Sequence, residues 1–183
     1  MPLEPIEVTM ILCTYVSKTG NTKKVAEAIA EELGEACRLV PAEELTEEEV
    51  LEAEFVFAGF WVDKGGPDPV GKAMCDALKG KTIGLFMTLG AYPHSLHAAK
   101  VLVRTAESIE GGSVVGLLAI QGAVGAARDP RLEALPASNH HAPNAKNNRR
   151  RALAATRPDE EDLARAKAWA RDVLYGECLR ESR

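Results

Sequence analysis

Residues Val8–Val16, VTMILCTYV, form a short uninterrupted apolar run that passes straight into the hydroxyl-rich stretch Ser17-Lys18-Thr19-Gly20-Asn21-Thr22. Immediately afterwards the period changes. Val25, Ala26, Ile29 and Leu33 fall at helical spacing, with Lys23, Glu27 and Glu31 on the opposite side, and Gly34 supplies a stop. A strand apolar on both faces, then a tight loop, then an amphipathic helix is the opening of a parallel sheet covered on both sides.

The rest of the chain repeats that alternation. Cys37–Val40 reads as a second strand and the acidic stretch Glu43–Glu52 as a surface helix. Glu54–Val62 is a third strand, and Asp68-Pro69 has the form of an N-cap with proline at the first helical position. Val70, Ala73, Met74, Ala77 and Leu78 then make a helical stripe closed by Gly80. Thr82–Leu89 is a fourth strand, and Ser95–Ile109 a helix with Ala99, Leu102, Val103, Ala106 and Ile109 facing inward. Ser113–Ile120 is a fifth strand, and Asp162–Leu174 a last helix with Leu163, Ala166, Ala170, Val173 and Leu174 on its inner face. Strands alternating with helices predict one α/β domain over residues 1–183, a five-stranded parallel sheet with helices on both faces. The stretch Gly122–Pro158 resists this pattern; it reads as a long irregular connection, with a short helix at Asp129–Leu135.

Composition narrows the function classes. With 27 acidic and 22 basic side chains the net charge is −5, which does not point to nucleic acid. The charge is uneven: residues 1–60 carry 4 basic and 13 acidic groups, whereas residues 131–183 carry 11 and 8. Four scattered cysteines without CxxC spacing fit reduced thiols better than a disulfide framework or a zinc site. The start Met1-Pro2-Leu3-Glu4 lacks a basic n-region, and no apolar run reaches the ~20 residues that span a bilayer, so a cytoplasmic protein is expected.

The loop after the first strand suits a phosphate. Ser17, Thr19 and Thr22 supply hydroxyl donors, Gly20 lets successive N–H groups curl inward, and the following helix offers its positive end. A Walker loop and a GxGxxG fingerprint are both absent there. In a sheet of this kind ligands sit beyond the carboxyl ends of the strands, where strand order reverses. The other reading of these hydroxyls is a capping turn that satisfies helix N–H groups.

In that place, Ser17-x-Thr19-Gly20-Asn21-Thr22 resembles the phosphate-binding motif [ST]-x-[ST]-G-x-[ST] of flavodoxins. The resemblance covers Ile6 to about Gln121 plus the last helix. It implies FMN as cofactor, the strand order 2-1-3-4-5, and an isoalloxazine ring held between the loops after strands three and four. Those loops are Gly59-Phe60-Trp61-Val62-Asp63-Lys64-Gly65-Gly66-Pro67 and Thr88-Leu89-Gly90-Ala91-Tyr92-Pro93. Trp61 and Tyr92 are the candidates for stacking on a flat ring, with a core or lid position equally open to Trp61. Lys64 would favour a reduced, anionic flavin. At Gly65-Gly66 a peptide could flip beside the flavin N5, as it does in flavodoxins; a plain turn is the alternative. Both loops, and the late Pro158-Asp159-Glu160-Glu161-Asp162, resemble a narrower group of flavodoxins encoded beside a bacterial bilirubin reductase.

The resemblance implies an electron carrier, monomeric or homodimeric, that serves a partner reductase, including a reductase of bilirubin or other tetrapyrroles. An FMN-dependent NAD(P)H oxidoreductase acting directly on a quinone or tetrapyrrole is the alternative, because fold alone does not decide chemistry. A flavin-free interaction module is the third reading. Outside the loops, His94 and His97 suit a surface or helix-start role, and His140-His141 carries no motif. Arg149-Arg150-Arg151 either docks an acidic partner or carboxylate-bearing ligand or is a solvated run.

Overall fold

The computed structural model describes residues 10–124, 134–139 and 142–181. Its strands are β1 (Ile11–Tyr15), β2 (Cys37–Pro41), β3 (Phe55–Asp63), β4 (Gly66–Pro67), β5 (Thr82–Leu89) and β6 (Ser113–Gln121). Five of them form a parallel sheet in the order β2-β1-β3-β5-β6, which is the expected order with β4 set aside. β1 lies between β2 and β3, with Ile11 opposite Cys37 on one side and Phe55 on the other. The helices are α1 (Asn21–Leu33), α2 (Glu47–Glu52), α3 (Pro69–Ala77), α4 (Leu96–Ser108), α5 (Ala145–Ala154) and α6 (Glu160–Glu181). No helix among the described residues is long and apolar enough to cross a membrane.

Alternation along each central strand divides the core in two. Val56, Ala58, Phe60, Leu85, Met87 and Leu89 face α3 and α4, where Met74, Cys75, Leu78, Ala98, Val101 and Leu102 meet them. Phe55, Phe57 and Phe86 face α1 and α6, against Val25, Ala26, Ile29, Ala166 and Ala170. Trp169 of α6 packs edge-on to Phe57, ring centroids 5.5 Å apart. Both faces of the sheet are thus covered. Cys13, Cys37 and Cys75 are free thiols. Burial, with the Asp76 charge adding, pushes Cys75 up to about 12, so at neutral pH it stays a protonated core residue.

Four details depart from the sequence reading. The inner faces of α3 and α4 match the expected stripes only in part: in α3, Met74 and Leu78 are buried as expected, but Gly71 and Cys75 are buried where Val70, Ala73 and Ala77 were expected. In α4, Ala98, Val101, Leu102 and Thr105 are buried, while Ala99 and Val103 are exposed. Thr105 is tolerated inside because its hydroxyl donates to the Val101 carbonyl at 2.9 Å. The acidic helix is shorter than Glu43–Glu52, because Thr46 forms a capping box with Glu49 and begins α2 there. A two-residue hairpin turn, Lys64-Gly65, pairs Asp63 with Gly66 and creates β4, which lies beyond the Val62 end expected for the third strand. Finally, the irregular connection contains α5, begun by Asn144 as N-cap. The short helix expected at Asp129–Leu135 falls for the most part outside the described residues, as does His140-His141.

The seating of the Phe86 ring across β3 depends on the missing side chain at Gly59. An added Cβ at Gly59 would lie 2.1 Å from Cζ of Phe86, which is fully buried. Gly59→Ala should therefore destabilise the fold by about 1–3 kcal/mol through overpacking. A lowered urea midpoint with unchanged slope checks this; an unchanged midpoint would mean that Phe86 can move aside.

Candidate functional site

The carboxyl end of β1 is where the strand order reverses, since the chain steps from β1 to β2 on one side and then to β3 on the other. Val16 donates its N–H to the Gly59 carbonyl at 2.9 Å, and the chain then leaves the sheet through Ser17, Lys18 and Thr19. Gly20, the N-cap of α1, has φ 88°. A Cβ there would meet nothing within 4 Å, so the backbone conformation, not space, calls for glycine.

α1 begins differently from the other helices. Thr46, Asp68, Ser95 and Asn144 each accept a backbone N–H at the start of α2, α3, α4 and α5. At α6 the Asp159 carboxylate accepts the Asp162 N–H. α1 has no such side-chain cap and no acidic residue in its first turn. Its first N–H groups and its positive end are therefore left for an acceptor from outside the helix. Beside them the Ser17 hydroxyl is buried with no hydrogen-bond partner among the described residues. A buried, unpaired hydroxyl next to an uncapped helix start is a donor set that fits a phosphate.

The remaining loop side chains are engaged. Asn21 Nδ2 donates to the Thr19 hydroxyl at 3.1 Å and to the Ala123 carbonyl at 2.9 Å, tying the loop to the chain beyond β6. Thr22 is buried, and its hydroxyl shares a 2.8 Å hydrogen bond with that of Thr88 at the end of β5. The two hydroxyls hold two protons and use one between them, so one remains for another acceptor. Lys18 is exposed and places Nζ 4.9 Å from the centre of the Trp61 ring, a cation–π contact.

The two loops expected to hold a ring both lie at this edge. Trp61 is half-buried at the margin of the core on the α3–α4 side, with Lys18 over its ring. Lys64 and Gly65 form the β3–β4 turn with φ of 47° and 88°. Two positive φ values in a two-residue hairpin favour glycine, and Lys64 occupies the first of them. Thr88 and Leu89 are buried strand residues; the Leu89 side chain is in the core and its carbonyl accepts from Gly122 N at 2.9 Å. Gly90 and Ala91 lead to Tyr92, which is 37% exposed. The Tyr92 carbonyl takes the Ser95 N–H as the chain turns into α4. His94 and His97 are both exposed at the start of α4.

Sequence reasoning missed Gln121-Gly122-Ala123. A Cβ at Gly122 would fall 2.7 Å from Asn21 Nδ2, so the backbone there passes directly against the phosphate-type loop. The signal was present: these residues follow β6 at its carboxyl end, where this sheet type gathers ligand contacts.

A parallel sheet with its order reversal at β1, and an uncapped, hydroxyl-rich helix start at that reversal, defines a nucleotide- or flavin-binding α/β protein. The flavodoxin domain matches residues 12–171, and the chain belongs to the flavodoxin family. The flavodoxin-like domain-containing protein BilS of Clostridioides difficile (strain CD3) is 28% identical over 169 residues, covering 89% of this chain and 95% of that protein. BilS of Clostridium symbiosum (strain WAL-14163) is 42% identical over 64 residues, 30% of this chain and 34% of that one. Among solved structures, oxidised Flavodoxin 2 of Bacillus cereus is 20% identical, covers 91% of this chain and 99% of its own, and superposes with a TM-score of 0.58. FMN is the cofactor that goes with the family, and the donor set at Ser17 and the start of α1 fits its phosphate.

The Thr22–Thr88 bond can be weighed by itself. Thr88→Val leaves the Thr22 hydroxyl buried without that partner and should cost about 1–3 kcal/mol, whereas Thr22→Val with Thr88→Val should restore part of the loss. Urea denaturation of the single and double variants measures the coupling; strictly additive losses would show that the two hydroxyls do not depend on one another.

Proposed function

We propose that this chain is an FMN-dependent electron carrier that passes electrons to a partner reductase. The observation that carries the reading is the uncapped start of α1 beside the unpaired Ser17 hydroxyl, at the reversal of strand order. Ser17, Lys18, Thr19, Gly20, Asn21 and Thr22 hold the phosphate through hydroxyls and backbone N–H groups. Trp61, Lys64 and Gly65 border one side of the ring. Thr88, Leu89, Gly90, Ala91 and Tyr92 border the other, Leu89 through its backbone alone because its side chain lies in the core. When bound, FMN supplies the one- and two-electron chemistry; the chain supplies binding, orientation and electrostatic surroundings.

Several features support this division of labour. Lys18 sits over Trp61 without an ion-pair partner in the described structure, and it gives way to a stacked ring at little cost because it is exposed. Tyr92 is partly exposed at the strand ends, as a ring-edge residue near a docking partner would be. The free thiols Cys13, Cys37 and Cys75 support a reducing, cytoplasmic setting. The likeness of both ring loops to flavodoxins encoded beside a bilirubin reductase makes a tetrapyrrole reductase the partner to test first.

Absorbance of the FMN-reconstituted protein during stepwise anaerobic photoreduction, then with NAD(P)H as sole reductant, tests the reading. Flavin bands that respond to photoreduction and ignore NAD(P)H are expected. Rapid bleaching by NAD(P)H alone would make this an oxidoreductase in its own right, and failure to take up flavin would overturn the reading. Ser17→Ala and Thr19→Ala should each weaken FMN binding about tenfold, as for loss of a hydrogen bond to a charged group. Gly20→Val should do at least as much, since φ in the left-handed region costs a branched residue roughly 1–2 kcal/mol. Quenching of FMN fluorescence on titration gives the affinities, and unchanged values in all three variants would remove the loop from the site.

A further inference from the structure

α5 carries Lys146, Arg149, Arg150 and Arg151 and no acidic residue, in a chain whose net charge is −5. The helix is fixed on one side: Asn147 and Ala154 are buried, and Asn147 Nδ2 donates to the Ala142 carbonyl at 2.8 Å. Its other side is displayed. Lys146, Arg149 and Leu153, at positions i, i+3 and i+7, share one face and line an open cleft of about 520 Å³ with Tyr92. That face is a patch of two kinds of surface. Leu153 is 50% exposed and Tyr92 37%, giving an aliphatic and an aromatic group side by side. Lys146 and Arg149 flank them, both exposed, and neither is in an ion pair among the described residues. Exposed apolar anchors rimmed by charge are the anatomy of a protein-docking surface.

Its place in the fold gives it a use. Tyr92 ends the loop after β5, and the chain on either side of α5 is anchored at the same edge, Ala123 donating to the Arg157 carbonyl at 2.9 Å and accepting from Asn21. The cationic face therefore stands beside the strand ends where a flavin edge would be exposed. We propose that the Lys146–Arg149–Leu153 face of α5, together with Tyr92, is the docking surface for an electron-transfer partner whose own docking surface is acidic. This rests on the electron-carrier reading for its purpose, though not for its existence as a surface. The occupant is fixed by charge: the two exposed cations of this face, Lys146 and Arg149, on a helix with no anion, repel a basic partner and attract an acidic one, despite the opposite sign of the whole molecule.

The opposition between local and net charge makes a decisive test. FMN-loaded protein is photoreduced and mixed in a stopped-flow instrument with an acidic plastocyanin or with a basic cytochrome c, across a series of salt concentrations. With plastocyanin the second-order rate constant should fall about tenfold from low to physiological salt, as steered association does. Charge reversal by Lys146→Glu with Arg149→Glu should lower the low-salt rate by a similar factor and flatten the salt dependence. Neutral Lys146→Gln with Arg149→Gln should fall between. If the rate with cytochrome c is the one that salt suppresses, and charge reversal leaves both acceptors unchanged, the acidic bulk of the molecule governs and the proposal fails. A second measurement needs no flavin: amide shifts of the labelled protein titrated with plastocyanin at low salt should move at Tyr92, Lys146, Arg149 and Leu153. Shifts confined to other surfaces, or none, overturn the docking face. Flavin uptake, read beforehand from absorbance, keeps a failure of the FMN reading separate from a failure of this one. Amide shifts at these residues on adding free glutarate at millimolar concentration, without any response to plastocyanin, would assign the cleft to a small carboxylate and also overturn it.

Discussion

The placement of every candidate group follows from a topological constraint: a right-handed crossover from β1 to β2 carries the chain to one side of β1, and the next carries it past β1 to the other. Two crossovers that diverge leave the carboxyl ends of β1 and β3 uncovered between them. Into that opening come the start of α1, the ends of β3 and β5, and the chain leaving β6. The core enforces the arrangement, since Phe86 can lie across β3 only because Gly59 carries no side chain, and Phe57 across β5 only because Gly84 carries none.

The first strand–loop–helix unit was legible because each part is written in a local signal. An apolar strand, three hydroxyls, one glycine and a stripe at helical spacing have few other interpretations; the alternation gave the parallel sheet, while the order of its five long strands came from the resemblance to flavodoxins. Helix faces were legible less fully. For α3 and α4 the stripe chosen from residue types includes the buried Met74, Leu78, Leu102 and Ile109, but its members Val70, Ala73, Ala77, Ala99 and Val103 lie one position away from the buried face. What decides is the neighbouring sheet, which accepts Gly71 and Cys75 because they are small and Thr105 because its hydroxyl is satisfied within the helix. A hydrophobicity pattern is blind to both reasons.

Two elements were invisible for a different cause. β4 is only Gly66–Pro67, and its turn seats Lys64 at a positive φ where asparagine or aspartate is the usual sign. α5 has alanines and Leu153 at its two ends but no apolar stripe to display a period; what marks it is its cap, Asn144, and the burial of Asn147 and Ala154 alone. Within the site, the roles of single residues were readable only in part. The engagement of Thr22 with Thr88, of Asn21 with Ala123 and of Lys18 with Trp61 joins residues far apart in the chain, and no local pattern announces such pairings.

The Ala123–Arg157 hydrogen bond has an evolutionary and engineering consequence. It joins the two ends of the excursion between β6 and α6, while Gly122 is held separately by Leu89. The sheet and its last helix are thus already closed on each other at the base, and what lies between is an appended module with adjacent attachment points. Changing the length of such a module alters chain-closure entropy only logarithmically. The scaffold can therefore exchange one insert for another, or lose it to a short linker, while the strand ends keep their geometry. In that sense the excursion and the strand ends that gather the candidate site are separately attached parts of the chain.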